Sequence, residues 1–310
     1  MAETKGGPGP GGLRPAEPDS TGSAGAVSVV IAEPTVRLFG DPFFAPLIAG
    51  VQDVLSERSI VLVVFGLSAG REQDHVESYL ASKRVDGVIL ASLRGESQLP
   101  AHLAALDIPT VICGRAPRNA RLSYVDTDNR QGAALAVNHL ISLGRRRIGL
   151  ICGNLDMPAA ADRLTGYREA LGFAGIPPDP ALVETGDFTL EAAEAATERL
   201  LAAHPDINGV FATSDLQAAG ALAVVQRSGR KVPDDVAVIG FDDTLTAQST
   251  TPPLSSIRQP IQEMGREAAN ILVREMNDPD PLPRQVIFAT ELVARESTVG
   301  TAPRRPRRRR

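Results

Sequence analysis

Short apolar runs alternate along this chain with longer segments of helical period, and that alternation limits the possible folds more than any other feature. The runs fall at 27–32, 60–65, 87–91, 109–113, 147–152, 209–213 and 236–240. Between and after them lie helix-period segments near 43–58, 71–84, 128–143, 159–174, 189–203, 215–229 and 259–276. Strands alternating with helices in this way form βαβ units and a parallel sheet. Runs that are apolar throughout, instead of at every second residue, belong to strands covered by helices on both faces. The fold class read from this pattern is α/β.

A chain of 310 residues exceeds one ordinary domain and suggests two. Seven or more βα units either close into one barrel or divide into two doubly wound sheets. A barrel would show eight evenly spaced units, whereas here the spacing falters around 114–127 and 241–258, where long polar connections are expected. Two lobes joined at those points are the favoured reading. Local chemistry sets some boundaries: Asp128 reads as a helix N-cap, Gly144 as the stop of the same helix, and Pro252-Pro253 as a break before an extended segment at 254–257.

Composition excludes several function classes. The net charge of −5 gives the chain no overall electrostatic footprint for nucleic acid. The one basic run, at 300–310, reads as a disordered tail, and the Gly/Pro-rich residues 1–26 read the same way. Gly7, Gly9 and Gly12 spell G-x-G-x-x-G without a preceding strand, a composition accident. Cys113 and Cys152 sit in apolar runs and read as buried free thiols. No secretory signal and no apolar run of membrane-spanning length is present, so a cytoplasmic protein with no membrane partner is expected. His75, His102, His139 and His204 are scattered without metal-ligand spacing. With no G-x-S-x-G, P-loop or H-E-x-x-H, neither a cofactor nor catalysis is expected, and the pair Asp215 and Asp242 alone carries no reaction.

Several blocks are recognisable together: Val125-Asp-Thr-Asp-Asn129 with Gly132, His139-Leu-Ile141, Gly144 and Ile148-Gly149; Arg163-Leu-Thr-Gly166-Tyr167; Val232 through Thr244; and Pro252 through Ile257 with Gln259. In this order and spacing, over about 27–299, the chain resembles the lactose-repressor family of transcriptional regulators. The resemblance implies two similar doubly wound parallel-sheet lobes joined by three crossover strands, with a ligand cleft between them. By it the N-lobe is 27–127 plus 258–288 and the C-lobe 128–257 plus 289–299.

Every candidate site residue lies just after an expected strand or at a helix start, where ligands bind in open α/β sheets. Asp41, Phe43 and Phe44 match the position of a sugar-stacking pair in related binding proteins. An aromatic face there would cover the apolar side of a sugar ring. Arg163 matches the family's anchoring arginine, whose guanidinium fork donates to neighbouring hydroxyls. Asp242 would accept from vicinal hydroxyls. Arg115, Ser214 and Gln259 complete the set of eight. Gly114 stands where the family often has Asp, and Ser214 where it commonly has Asn, which bears on the effector's identity. Asp215 is expected to be a helix N-cap.

The reading is therefore the ligand-sensing core of such a regulator. It binds a small polar effector, a sugar or related polyol, with a nucleoside or purine as the alternative, and it forms a homodimer by resemblance. Family regulators carry a helix-turn-helix headpiece before this core, and residues 1–26 contain none, so DNA binding is expected only with a headpiece supplied. The runner-up is a stand-alone or transporter-associated sugar-binding protein.

Overall fold

A computed structural model describes residues 24–67, 71–95, 97–116 and 121–300. Most of the Gly/Pro-rich N-terminal stretch and nearly all of the basic C-terminal run lie outside the described residues. In chain order the elements are β1 (Ala26–Ile31), α1 (Thr35–Gly40), α2 (Phe44–Ser56), β2 (Val61–Gly66), α3 (Arg71–Ala81), β3 (Gly87–Ala91), α4 (Leu99–Ala105), β4 (Thr110–Cys113) and β5 (Ser123–Thr127). There follow α5 (Asn129–Ser142), β6 (Ile148–Cys152), α6 (Pro158–Phe173), β7 (Val183–Thr185), α7 (Leu190–Ala203), β8 (Gly209–Ala212), α8 (Asp215–Arg227), β9 (Ala237–Asp242), α9 (Leu245–Ser249) and β10 (Ser255–Arg258). The chain closes with α10 (Ile261–Met276), β11 (Gln285–Phe288), β12 (Glu291–Val293) and α11 (Glu296–Val299).

The strands form two six-stranded sheets, ordered β11-β5-β4-β3-β1-β2 and β12-β10-β9-β8-β6-β7. All pairings are parallel except β10 with β12. The two sheets repeat one topology: a doubly wound unit of five strands with a sixth, borrowed strand at its edge. The chain passes between the sheets three times, from β5 to α5, from β10 to α10 and from β11 to β12. These are the crossovers of the two-lobed architecture, and the barrel alternative falls.

Each sheet is covered on both faces, as the uninterrupted apolar strands require. On one face of the first sheet α2 and α10 bury Leu47, Val51, Met264 and Leu272, and on the other α3 and α4 bury Leu80, Leu99 and Leu103. In the second lobe α5 and α6 bury Val137, Leu140 and Tyr167, while α7 and α8 bury Leu200, Ala221 and Val225. The α5–α6 crossing is close: a Cβ on Gly166 would lie 2.1 Å from the Arg130 carbonyl oxygen. That is why the block around Arg163 needs glycine there.

Asp128 caps α5 as expected, its carboxylate accepting from the Gln131 N–H, and Gly144 takes the left-handed conformation just past the helix (φ 82°). Two expectations are corrected. The polar stretch before Asp128 is no mere connection, because Ser123–Thr127 forms buried β5, where Ser123 bonds Glu275 and Asp126 bonds Asn129. The cap of α8 is Ser214, which accepts from the Gln217 N–H; Asp215 stands one residue inside the helix.

Candidate functional site

In an open α/β sheet of order 2-1-3-4-5 the crevice opens beyond the strand carboxyl ends, where the winding reverses. The two lobes place these crevices face to face. Segments following β1, β3 and β4 from one lobe and β6, β7, β8 and β9 from the other enclose a cavity of about 840 Å³, part of it open to solvent. Asp41, Phe43, Phe44, Arg115, Arg163, Ser214, Asp242 and Gln259 all line it.

The C-lobe side is a tied network. Arg163 is 5% exposed, on the first turns of α6. Its Nε donates to Asn129 Oδ1 at 2.9 Å, its Nη1 donates to the Thr213 carbonyl, and its guanidinium lies 3.7 Å over the Phe241 ring. Nη2 faces Asp242 Oδ1 at 3.8 Å. Burial lowers the Arg163 pKa, and the carboxylates of Asp242 and Asp126 oppose that shift.

Asp242 ends β9 with a positive φ of 108°, followed by Asp243 at 57°, a backbone state that side-chain-bearing residues adopt at a cost. Asp215 braces this turn. Its carboxylate accepts from the Thr244 N–H at 2.6 Å and from the Ser256 hydroxyl at 2.5 Å, while Asp243 pairs with Arg258 and Arg295. The pair of aspartates is thus one brace and one cavity-facing acceptor. Burial raises the Asp242 pKa well above the ordinary carboxylate value, with Asp215 and Asp41 adding to the rise and Arg163 opposing it. Asp215 is pushed up to about 7, again chiefly by burial.

Gln259 couples the crossovers to the cavity. Its Nε2 donates to Asp242 Oδ1 and its Oε1 accepts from the Thr127 hydroxyl at 3.1 Å. Thr127 ends β5 and Gln259 follows β10, so one side chain joins two of the three crossings to the cavity acceptor.

The N-lobe side is looser. Phe43 and Phe44 meet edge to face at 5.5 Å; Phe44 is 3% exposed and belongs to the core, whereas Phe43 is half-buried. Asp41 accepts from the Phe43 N–H, and burial raises its pKa. The Arg115 side chain is 40% exposed at the mouth, where it binds Asp162 of the opposite lobe, with Asp126 at 3.8 Å. A second strut crosses the mouth, from the Gly95 N–H to the Asp156 carbonyl at 2.8 Å.

Among the described residues no group of three or more His, Cys, Asp or Glu is placed to hold a metal ion, and no helix is long and apolar enough to cross a membrane. Burial pushes the Cys113 thiol, at the cavity wall, up to about 12, which suits a packing residue. Sequence reasoning missed Arg37, Asp126, Asn129 and Phe188 as cavity residues. Asp126 and Asn129 stood in a recognised block; Arg37 and Phe188 carried no motif.

The profile of the periplasmic binding protein-like domain matches residues 137–298. The HTH-type transcriptional regulator CelR of Thermobifida fusca is 42% identical over 273 residues, covering 87% of this chain and 80% of that protein. The chain belongs to the LacI/GalR family of transcriptional regulators. The HTH-type transcriptional repressor CytR of Escherichia coli (strain K12), a further LacI/GalR relative, is 34% identical over 267 residues, 83% of this chain and 76% of that protein. A solved structure described as a transcriptional regulator CelR–cellobiose complex superposes with a TM-score of 0.86 at 42% identity, covering 89% of this chain and 85% of that one. The chain carries the ligand-sensing core of a LacI/GalR regulator, and the family is one of regulators, not enzymes.

Proposed function

We propose that the effector is a sugar held by the inter-lobe cavity, with Arg163 and Asp242 as the hydroxyl anchors and Phe43 against a ring face. The observation that carries this reading is the convergence of all eight candidate residues, from both lobes, on one cavity. Buried Arg163 and Asp242 lie side by side with donor and acceptor capacity left over, the complement of vicinal hydroxyls. The similar structure with cellobiose makes that sugar the first ligand to test. Gln259 carries occupancy of the cavity to the crossovers and so to the relative setting of the lobes. In a homodimer, that setting biases DNA-binding output by differential affinity.

Thermal-shift measurement against cellobiose, glucose, ribose, adenosine and hypoxanthine tests the reading. A sugar at about 100 times its Kd is expected to add about 2.7 kcal/mol of apparent stability. A shift from adenosine or hypoxanthine and none from the sugars would replace the sugar reading with a nucleobase one.

A further inference from the structure

Phe241 lies outside the lining of the cavity, yet it bears on the residue proposed above to anchor the effector there. It is fully buried in β9, one position before Asp242. The Arg163 guanidinium sits 3.7 Å over its ring, the shortest such contact among the described residues. Nε and Nη1 of Arg163 donate to Asn129 and to the Thr213 carbonyl, which fixes two points of the fork. The ring beneath fixes its plane. Any apolar side chain of equal bulk would fill this part of the core, but only an aromatic face attracts a guanidinium.

The edge of the ring is held in turn. Gly132, buried on α5, has no room for a side chain: a Cβ there would lie 2.8 Å from two ring carbons of Phe241 and 3.0 Å from Thr290 Oγ1. The ring edge and the Thr290 hydroxyl therefore rest against the same glycine. Thr290 stands between β11 and β12, on the third crossing between the lobes. Its hydroxyl is buried with no hydrogen-bond partner among the described residues. An orphaned hydroxyl is costly, and a lobe setting that gives it a partner removes the cost. Gln259 joins only the first two crossings to the cavity acceptor.

We propose that Phe241 is the positioning residue of the anchor: its ring sets the plane of the Arg163 fork and, through Gly132, ties that plane to Thr290 in the third crossing. The inference rests on Arg163 being an effector anchor and adds how that anchor is aimed. When the lobes turn against each other the third crossing moves, Thr290 presses on or releases its contact with Gly132, the ring edge follows, and the fork tilts. Effector occupancy and lobe setting are thus linked in both directions. The setting seen here, with the Gly95–Asp156 and Arg115–Asp162 contacts made across the mouth, is the one in which the Thr290 hydroxyl is orphaned.

Proton–nitrogen NMR of the arginine Nε–H groups in the whole, effector-free chain reads the stack directly, because a proton over a ring face resonates upfield. The Arg163 signal, identified by its loss in Arg163→Lys, is expected upfield of the other arginines. Phe241→Leu keeps an apolar side chain in β9 and should return that signal to the common range. Gly132→Ala forces the ring edge or Thr290 to give way and should move the same signal from outside the cavity. Calorimetric titration with cellobiose supplies the second readout. Phe241→Leu should weaken binding by about tenfold. Thr290→Val keeps the shape, removes the orphaned hydroxyl and should tighten binding by about twofold to fivefold. An Arg163 signal unmoved by Phe241→Leu, or moved only together with those of Arg37 and Arg145 as in a general change of fold, would overturn the positioning role. A signal unmoved by Gly132→Ala, or a Thr290→Val chain that binds cellobiose as the parent does, would overturn the tie to the third crossing. The resonance is read without effector, so a parent chain that does not bind cellobiose counts against the sugar reading alone, and the NMR arm still decides the stack.

Discussion

The two walls of the cleft are built on the same topology and held in different ways. On the C-lobe wall, Arg163, Asp242 and Ser214 are each at most 6% exposed and each is hydrogen-bonded within the protein, Arg163 to the Thr213 carbonyl, Ser214 to the Gln217 N–H of α8 and Asp242 to the Gln259 amide. On the N-lobe wall, Asp41 and Arg37 ride on and after a six-residue helix, and Arg115 stands 40% exposed on a loop. Arg37 and Arg115 are held there by ion pairs with Glu33, Asp41 and Asp162, and Asp41 also accepts from the Phe43 N–H. We expect the preformed C-lobe wall to fix where an effector sits and the more exposed N-lobe wall to adapt when the cleft changes its opening.

That contrast is broken most severely at Arg163. Removing its guanidinium leaves Asp242 buried without its cation and Asn129 Oδ1 without its donor. Arg163→Ala is therefore expected to lower unfolding stability by about 3–5 kcal/mol, the range for half of a buried charge pair. Urea denaturation measures this, and the sugar-induced thermal shift should vanish in the same variant. A loss below about 1 kcal/mol would show that the C-lobe wall is no more tightly built than a surface ion pair.

The regular elements of both lobes were legible in the sequence because their strands are apolar on both faces, a signal independent of context. β5 was not: only Val125 among Ser123–Thr127 is an aliphatic residue, and its polar members are buried because Glu275 and Gln259 come from distant segments, and Asn129 from the start of the next helix, to bond them. β7, of three residues, and β12, of three, are too short for any period. At the site, Arg163 and Asp242 were legible through their blocks. The Ser214-Asp215 pair was misread by one residue because both side chains are good caps, and only the Ser256 and Thr244 contacts show that Asp215 serves the β9 turn. Arg37 escaped because its helix is too short to show a face, and the Phe188 ring it packs against at the cavity lies some 150 positions away in sequence.

A second test asks whether the fixed wall also sets the pH response. Burial raises the Asp242 pKa, so on lowering the pH this carboxyl takes up a proton earlier than an exposed aspartate does. The ionised form is the stronger acceptor of sugar hydroxyls. Effector binding should thus lower the Asp242 pKa, release a proton, and tighten as pH rises through the value in the free protein, by at most about tenfold per unit. The stability of the free protein has the opposite sign: with the folded pKa above the unfolded 3.8, the contribution is lost as pH rises through the folded value. Titrations from pH 5 to 8.5 in buffers of different ionisation enthalpy read the proton release directly. Asp242→Asn should bind weakly at every pH with the slope removed; an unchanged slope would place the titrating group elsewhere, with Asp41 on the adaptable wall the next to examine.

The smallest expected effect belongs to the mouth, where the walls touch through Arg115 and Asp162. With Arg115 40% exposed and Asp162 about half that, the pair is worth only about 0.2–1 kcal/mol by the usual double-mutant measure. Global stability of Arg115→Gln, Asp162→Asn and the double variant should stay close to that of the parent chain. Their dissociation rates should not. The pair forms only when the lobes approach, so its loss favours the open cleft and should speed effector release by about twofold to fivefold, in the same degree for either single variant and for the double. Stopped-flow dissociation measures this, and non-additivity across the cycle is the decisive feature. Additive losses would mean that Arg115 and Asp162 each touch the effector independently, which would place Arg115 among the binding residues and not at the gate.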